Sequence, residues 1–172
     1  MDFWQVVMSR RSVREYQPEP VPRAALERIV QAGIEAPTGV NAQLKQYVIV
    51  DAPELMARIG QISRALTGAP ACIVLLVDPK PTKFGEFWVQ DASAAMQNML
   101  LAAVDAGYAS CWVEGAVRRA EAQLRELLGV PEGLRVWSLM PVGKPAVVPG
   151  RPVKPTLHDV THYNGFCGQA GL

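Results

Sequence analysis

Arg10-Arg11-Ser12-Val13-Arg14 sets three guanidinium groups and a hydroxyl within five residues, with no acid among them. Arginine offers a planar fork of donors that matches phosphate oxygens, and serine adds one more, so the cluster suits a phosphomonoester. The same residues also suit a plainer duty, offsetting the dipole at the C-terminal end of a preceding helix. A second stretch shares the sign: between Gly133 and His158 stand Arg135, Lys144, Arg151 and Lys154 and no acid. Arg151 and Lys154 lie among prolines, which lower the entropy cost of holding a charge in place; a solvated basic tail is the alternative. Thr38, Asn41 and Gln43 bring a hydroxyl and two carboxamides, able to donate and accept at once, as recognition of a heterocycle requires. Polar loops of this kind also occur as simple connections. Cys111-Trp112-Val113-Glu114-Gly115 reads as a strand end followed by glycine, where a backbone N–H can face a flat ligand, or as an ordinary turn with Glu114 in solvent.

Other chemistries lack their residues. No Gly-x-Gly-x-x-Gly, Gly-x-x-x-x-Gly-Lys-Ser/Thr or Gly-x-Ser-x-Gly occurs, so a Rossmann site, a P-loop and a hydrolase nucleophile elbow are unsupported. His158 and His162, four apart, have no third ligand nearby, and no metal is expected. With two histidines in the whole chain, His-based acid–base catalysis gives way to chemistry on a cofactor.

The elements that must position these residues follow from periodicity. Residues 2–9 read as a short helix, and Leu26, Ile29, Val30 and Ile34 as the apolar face of a second, closed by Gly33 and Pro37. Strands are expected at about 46–51, at Cys72–Val77, whose continuous apolar run implies cover on both faces, at 108–113 and at 134–142. Helices are expected at about 53–65, at Trp88–Ala106 and at 118–128. Gln90/Asp91, Gln97/Asn98 and Asp105 recur every seven residues, which predicts one narrow polar stripe on an otherwise buried helix. Pro141, Pro145, Pro149, Pro152 and Pro155 predict an extended arm, reasonable where it lies on a partner subunit.

In this order and spacing the segments resemble the flavin-dependent nitroreductase family, through Arg10-Arg11-Ser12-Val13-Arg14-Glu15-Tyr16, Ala36-Pro37-Thr38-Gly39-Val40-Asn41-Ala42-Gln43, Asp91, Glu114-Gly115 and Pro141-Val142-Gly143-Lys144-Pro145. The resemblance runs from about residue 4 to 164. It implies an α+β fold, a mixed and mainly antiparallel sheet flanked by helices, with an extended C-terminal arm. Residues 1–144 would form the FMN-binding domain and residues 145–172 an arm packed on the partner of a homodimer. It further implies that Arg10, Arg11, Ser12 and Arg14, joined by Arg151 or Lys154, hold the FMN phosphate and ribityl chain. Pro37, Thr38, Gly39, Asn41 and Gln43 would reach the flavin from the other subunit, and the Glu114 and Gly115 backbone would meet its N5 edge.

Where larger members offer Asn and Lys to the ring, this chain has Ile62 and Ala65, leaving Ser63 or Arg64 to substitute. The covering insertion is short, Asp78 to Glu86, with Phe84 and Trp88 as candidates to cover the substrate and core packing as the other role for Trp88. The implied activity is that of an FMN-dependent NAD(P)H oxidoreductase, passing hydride through flavin N5 to nitroaromatic, quinone or flavin acceptors in two half-reactions, with no catalytic protein residue. A non-enzymatic FMN-sequestering protein and an oxygen-dependent flavin enzyme of the same fold are the alternatives.

Composition agrees with a cofactor rather than a polymer as ligand. Seventeen basic against sixteen acidic residues leave +1, too little to hold nucleic acid non-specifically. The longest apolar run, Ala69 to Val77, is far below the roughly 20 residues a bilayer needs. Met1-Asp2-Phe3 carries no basic export signal, and Cys72, Cys111 and Cys167 show no Cys-x-x-Cys pair, so a cytoplasmic protein with reduced thiols is expected.

Overall fold

The computed structural model describes residues 1–166 of the chain; Cys167 lies outside the described residues. Its elements are α1 (Phe3–Ser9), α2 (Arg23–Ile34), β1 (Lys45–Val50), α3 (Pro53–Gly60), β2 (Ala71–Val77), α4 (Trp88–Asp105), β3 (Ala109–Ser110), α5 (Gly115–Leu128), β4 (Arg135–Gly143) and α6 (Leu157–Val160). Four strands form one sheet in the order β1-β2-β4-β3, every ladder antiparallel, and a single parallel bridge, Ser12 to Ser110, adds the mixed element. The α+β class expected from the sequence is therefore observed.

Strand β2 decides the layering. Its side chains alternate between two cores, so all seven residues are buried. Cys72, Val74 and Leu76 join Met56, Ile59 and Leu66 from the α3 side and Leu124 of α5. Ile73, Leu75 and Val77 join Leu26 and Ile29 of α2 and Met96 and Met99 of α4. Each such Leu, Ile or Met removed from water contributes about 1.5–3 kcal/mol before entropy is charged against it. Close approach of α2 to α4 needs small residues: Ala92, Ala95 and Ala103 are fully buried, and a Cβ on Gly33 would stand 2.9 Å from Met99 Cγ.

Three expectations change. The helix expected at 53–65 stops at Gly60; Ser63 is extended, and its hydroxyl accepts from the Ala65 N–H to start a separate short turn, Arg64–Leu66. The strand expected at 108–113 pairs with β4 only at Ala109 and Ser110, and the chain returns to bridge Leu139 from Val113. Its other side is taken by the N-terminal segment, where Val13 N–H donates to Ser110 O at 3.0 Å. The polar stripe of α4 is not uniform: Gln90, Gln97 and Asp105 face solvent, Asn98 donates to Ala32 O at 3.0 Å, and Asp91 is buried at 4% exposure.

Beyond Lys144 the chain runs extended as expected, then forms one helical turn, α6, opened by a capping box between Thr156 and Asp159. Residues 146–160 are exposed throughout. No helix among the described residues is long and apolar enough to cross a membrane.

Candidate cofactor site

The segment that follows α1 is pinned to the sheet and to the start of the arm. Tyr16 Oη donates to Val13 O at 2.6 Å, Gln17 N–H to Lys144 O at 2.9 Å and Ala146 N–H to Glu15 O at 2.9 Å. Because the arm leaves the sheet beside Glu15, it folds back over the end of α1, and residues far apart in sequence meet. Arg10, Arg11, Ser12, Arg14, Arg151 and Lys154 line one cleft of about 640 Å³ that contains no acidic side chain.

The five cations of this cleft have unequal commitments. Arg11 Nη1 donates to Met8 O and Arg10 O, both at 2.8 Å, so this side chain does serve the carbonyls at the end of α1. Arg14 Nη1 donates to Ser12 O at 3.1 Å, and Arg151 Nη2 touches Met8 Sδ at 3.6 Å. None of the five has a carboxylate within 4 Å among the described residues, whereas Arg23, Arg28, Arg118 and Arg135 all do.

Arg14 also lines a second cleft, of about 770 Å³, with Glu15, Tyr16, Ser63, Arg64, Thr67 and Ala146. The two clefts are thus joined at one guanidinium. Beneath this surface lies the Cys111 thiol, pushed up by burial against the opposing influence of Arg14 and of a hydrogen bond with Ser12. Burial likewise pushes Cys72 up to about 12, so neither thiol is a nucleophile at neutral pH.

Pro37, Thr38, Gly39, Asn41 and Gln43 stand elsewhere, in the turn between α2 and β1, and line neither cleft of the single chain. Their polar side chains are gathered: Gln43 Nε2 donates to Asn41 Oδ1 at 2.6 Å and to Thr38 Oγ1 at 3.3 Å. Val40, Asn41 and Gln43 adopt left-handed backbone, with φ of 49°, 56° and 54°. For a β-branched residue such as Val40 this costs on the order of 1–3 kcal/mol, strain of the kind that gathers at functional segments. Gly39 is required by close approach, since a Cβ there would fall 2.5 Å from the Phe87 ring.

Glu114 and Gly115 open α5. No side chain caps that end, so its first-turn N–H groups are not claimed by a cap, and Glu114 ion-pairs with Arg118 one turn on. Phe84 is exposed, and Trp88 packs edge-on against Trp137 at 5.1 Å between centroids, which is the core role.

Two placements were not signalled by the sequence: Gln97 of α4 lines the arginine cleft, and buried Asp91, marked by the resemblance only as a position in the long helix, accepts the Gly39 N–H through Oδ1 at 2.8 Å. Asp91 carried one signal of its kind, an acid in the first turn of an otherwise apolar helix.

The chain is 36% identical over 147 residues to an Archaeoglobus fulgidus protein provisionally named NADH dehydrogenase/NAD(P)H nitroreductase, covering 82% of this chain and 84% of the relative. It is 26% identical over 178 residues to FMN reductase [NAD(P)H] of Bacillus subtilis, covering 90% of this chain and 72% of that one. A crystal structure from Parabacteroides distasonis, also provisionally named NADH dehydrogenase/NAD(P)H nitroreductase, superposes with a TM-score of 0.82 at 26% identity, covering 95% of this chain and 98% of the other. The family model described as "Nitroreductase family" matches residues 7–67 and 62–144, a span that holds the Arg10–Arg14 segment, the strained 37–43 turn and the α4 helix that supports it. On that span and the shared fold, the chain belongs to the nitroreductase family.

Proposed function

We propose that this protein is an FMN-dependent NAD(P)H oxidoreductase that works as a homodimer in the cytoplasm. One observation carries the reading: cations from opposite ends of the chain line a single acid-free cleft, and among the described residues they have no carboxylate partners. Gathering like charges is unfavourable unless a multivalent anion occupies the place. The donor set fits a phosphomonoester. Arg10 and Arg151 supply forks, Ser12 a hydroxyl and Lys154 a point charge, while Arg11 is partly spent on α1.

Beyond Arg14, the second cleft offers Ser63 and Arg64, the two residues expected to substitute at the ring. Arg14 and Arg64 would lower the cost of negative charge near flavin N1 and O2. The chemistry supplied by bound FMN is hydride acceptance at N5 from NAD(P)H and its delivery to nitroaromatic, quinone or flavin acceptors, in two half-reactions at one site. The protein's part is to bind, orient and tune.

The homodimer is supported by what the single chain leaves uncovered. Val147, Val148, Val153, Leu157, Val160, Tyr163 and Phe166 are exposed along the arm, Val153 at 99%. Phe3 and Trp4 of α1 are each 71% exposed, and β1 is a sheet edge. With the described part of the arm, residues 145–166, laid on a partner, these surfaces gain cover; residues 167–172 of the expected arm lie outside the described residues. The Pro37–Gln43 turn would then reach the partner's flavin across the interface, while the Glu114–Gly115 backbone would meet the N5 edge.

The experiment is direct. Purified protein is expected to be yellow, or to become so with FMN, and to lose its flavin absorbance on anaerobic addition of NADH or NADPH. A colourless protein that FMN cannot reconstitute overturns the proposal. Binding without bleaching leaves a flavin-sequestering protein in its place.

A further inference from the structure

Asp91 is a buried carboxylate in the first turn of α4, with one oxygen used and one not. Oδ1 accepts the Gly39 N–H, and Oδ2 has no hydrogen-bond partner among the described residues. Removing a carboxylate from water to this depth is costly, and one backbone hydrogen bond is a modest return on stability alone. An apolar residue would pack the helix more cheaply.

What the carboxylate does is local to the turn. Gly39 opens the short helical turn Gly39–Asn41, and Thr38, at its cap position, makes no side-chain capping bond. Asp91 therefore caps that turn from outside the loop, a carboxylate facing the N-terminal N–H. Immediately after the capped residue come the left-handed residues Val40, Asn41 and Gln43, a path the backbone keeps only where its surroundings impose it. Gly39 is held from the other side by the Phe87 ring, one turn before Asp91. Lys45, partly buried, closes the far end of the loop by donating to Ala36 O at 3.1 Å, and the Asp91 charge acts on it from within.

We propose that Asp91 is a positioning residue of the flavin site, a buried cap that sets where Thr38, Asn41 and Gln43 stand. The proposal rests on the reading of the 37–43 turn as a flavin-contacting segment. Asp91 itself lines neither cleft.

The test compares Asp91→Asn, which keeps an acceptor oxygen, with Asp91→Leu, which keeps the size and loses the acceptor. Three measurements are made: FMN affinity by fluorescence quenching, hydrogen exchange of the 37–44 peptide without flavin, and the far-UV circular dichroism melt. Asp91→Asn is expected to hold wild-type loop protection and FMN affinity to within about threefold, and Asp91→Leu to expose the loop and weaken FMN by about tenfold, the scale of one hydrogen bond.

Wild-type loop exchange and affinity in a folded Asp91→Leu variant would overturn the proposal. So would an Asp91→Asn variant as weak as Asp91→Leu, since the charge and not the cap would then matter. If Asp91→Leu does not fold, wild-type exchange decides: a Gly39 amide as labile as a free loop overturns it, and a protected one, kept in Asp91→Asn, supports it. If the wild type binds no FMN, the functional reading fails by itself, while the exchange comparison still reports on the cap.

Discussion

Truncating Arg10 to Ala offers the sharpest measure of the arginine cleft. The main chain at this position is independent of the side chain, since the Arg10 N–H closes α1 on Val6 O at 3.1 Å, and the guanidinium makes no hydrogen bond among the described residues. Its removal therefore disturbs little of the fold beyond a helix-dipole contribution of about 0.3–1 kcal/mol. Against a bound phosphate, one charge-assisted hydrogen bond is worth about 1.5–3 kcal/mol, or roughly ten- to hundredfold in Kd, with the lower part favoured because the cleft is open to water. The assay is quenching of flavin fluorescence, run in parallel with FMN and with riboflavin, which shares the ring and ribityl chain but lacks the phosphate. Arg10→Ala is expected to weaken FMN by that factor and to leave riboflavin nearly unchanged. Arg151→Ala should behave alike, and the double variant should fall short of additivity because both side chains meet one phosphate. Equal losses for FMN and riboflavin, or unchanged FMN, would refute the phosphate reading and return the cluster to its dipole-offsetting role.

Two further outcomes test the scaffold. Gly143→Ala places a Cβ 2.8 Å from Pro70 Cδ and 3.1 Å from Tyr16 Cδ1, and is expected to destabilise by about 1–3 kcal/mol through overpacking, read as a lower thermal midpoint. Glu121 is held below its ordinary value of 4.5, first by hydrogen bonds from Arg135, whose Nε and Nη2 donate to its two oxygens at 2.6 and 2.7 Å. A depressed carboxylate contributes stability that is present above 4.5 and lost as pH falls through the lower folded value. Glu121→Gln should accordingly lower stability at neutral pH and flatten the acid limb of a chemical-denaturation series; an unchanged acid limb would show that the pair adds nothing.

The legible parts of this fold are those set by neighbours in sequence. The six apolar residues Cys72–Val77 announced a strand covered on both faces, and the spacing of Leu26, Ile29, Val30 and Ile34 announced the buried side of α2, from which Ile34, at the last residue of the helix, turns out exposed. Less legible was β3, whose two-residue ladder depends on Ser12 and Gly143, partners about a hundred and thirty residues apart. The end of α3 was lost for a local reason, because Ser63 competes for the backbone through its own hydroxyl.

Within the site, the two basic stretches could be named as a pair from the absence of acids. Their meeting depends on Gln17–Lys144 and Glu15–Ala146 backbone bonds that no local pattern encodes. Heptad spacing places Asp91 on the polar stripe because it marks only a direction around a helix; a loop 52 residues earlier has to arrive there before that direction becomes an interior.

The acid-free cleft also bears on how long the protein lasts. Among the described residues its five cations have no carboxylate partners, so the empty fold carries a self-repulsion that any bound anion relieves. Folding and anion capture are then two faces of one equilibrium, and an anion present at 100 times its Kd adds about 2.7 kcal/mol to the stability of the folded chain. For a domain of ordinary stability that increment is a sizeable share of the whole. Under the proposed function, the steady-state amount of intact protein would rise and fall with the supply of the anion that fills the cleft, and the charge arrangement would meter how much of the protein survives.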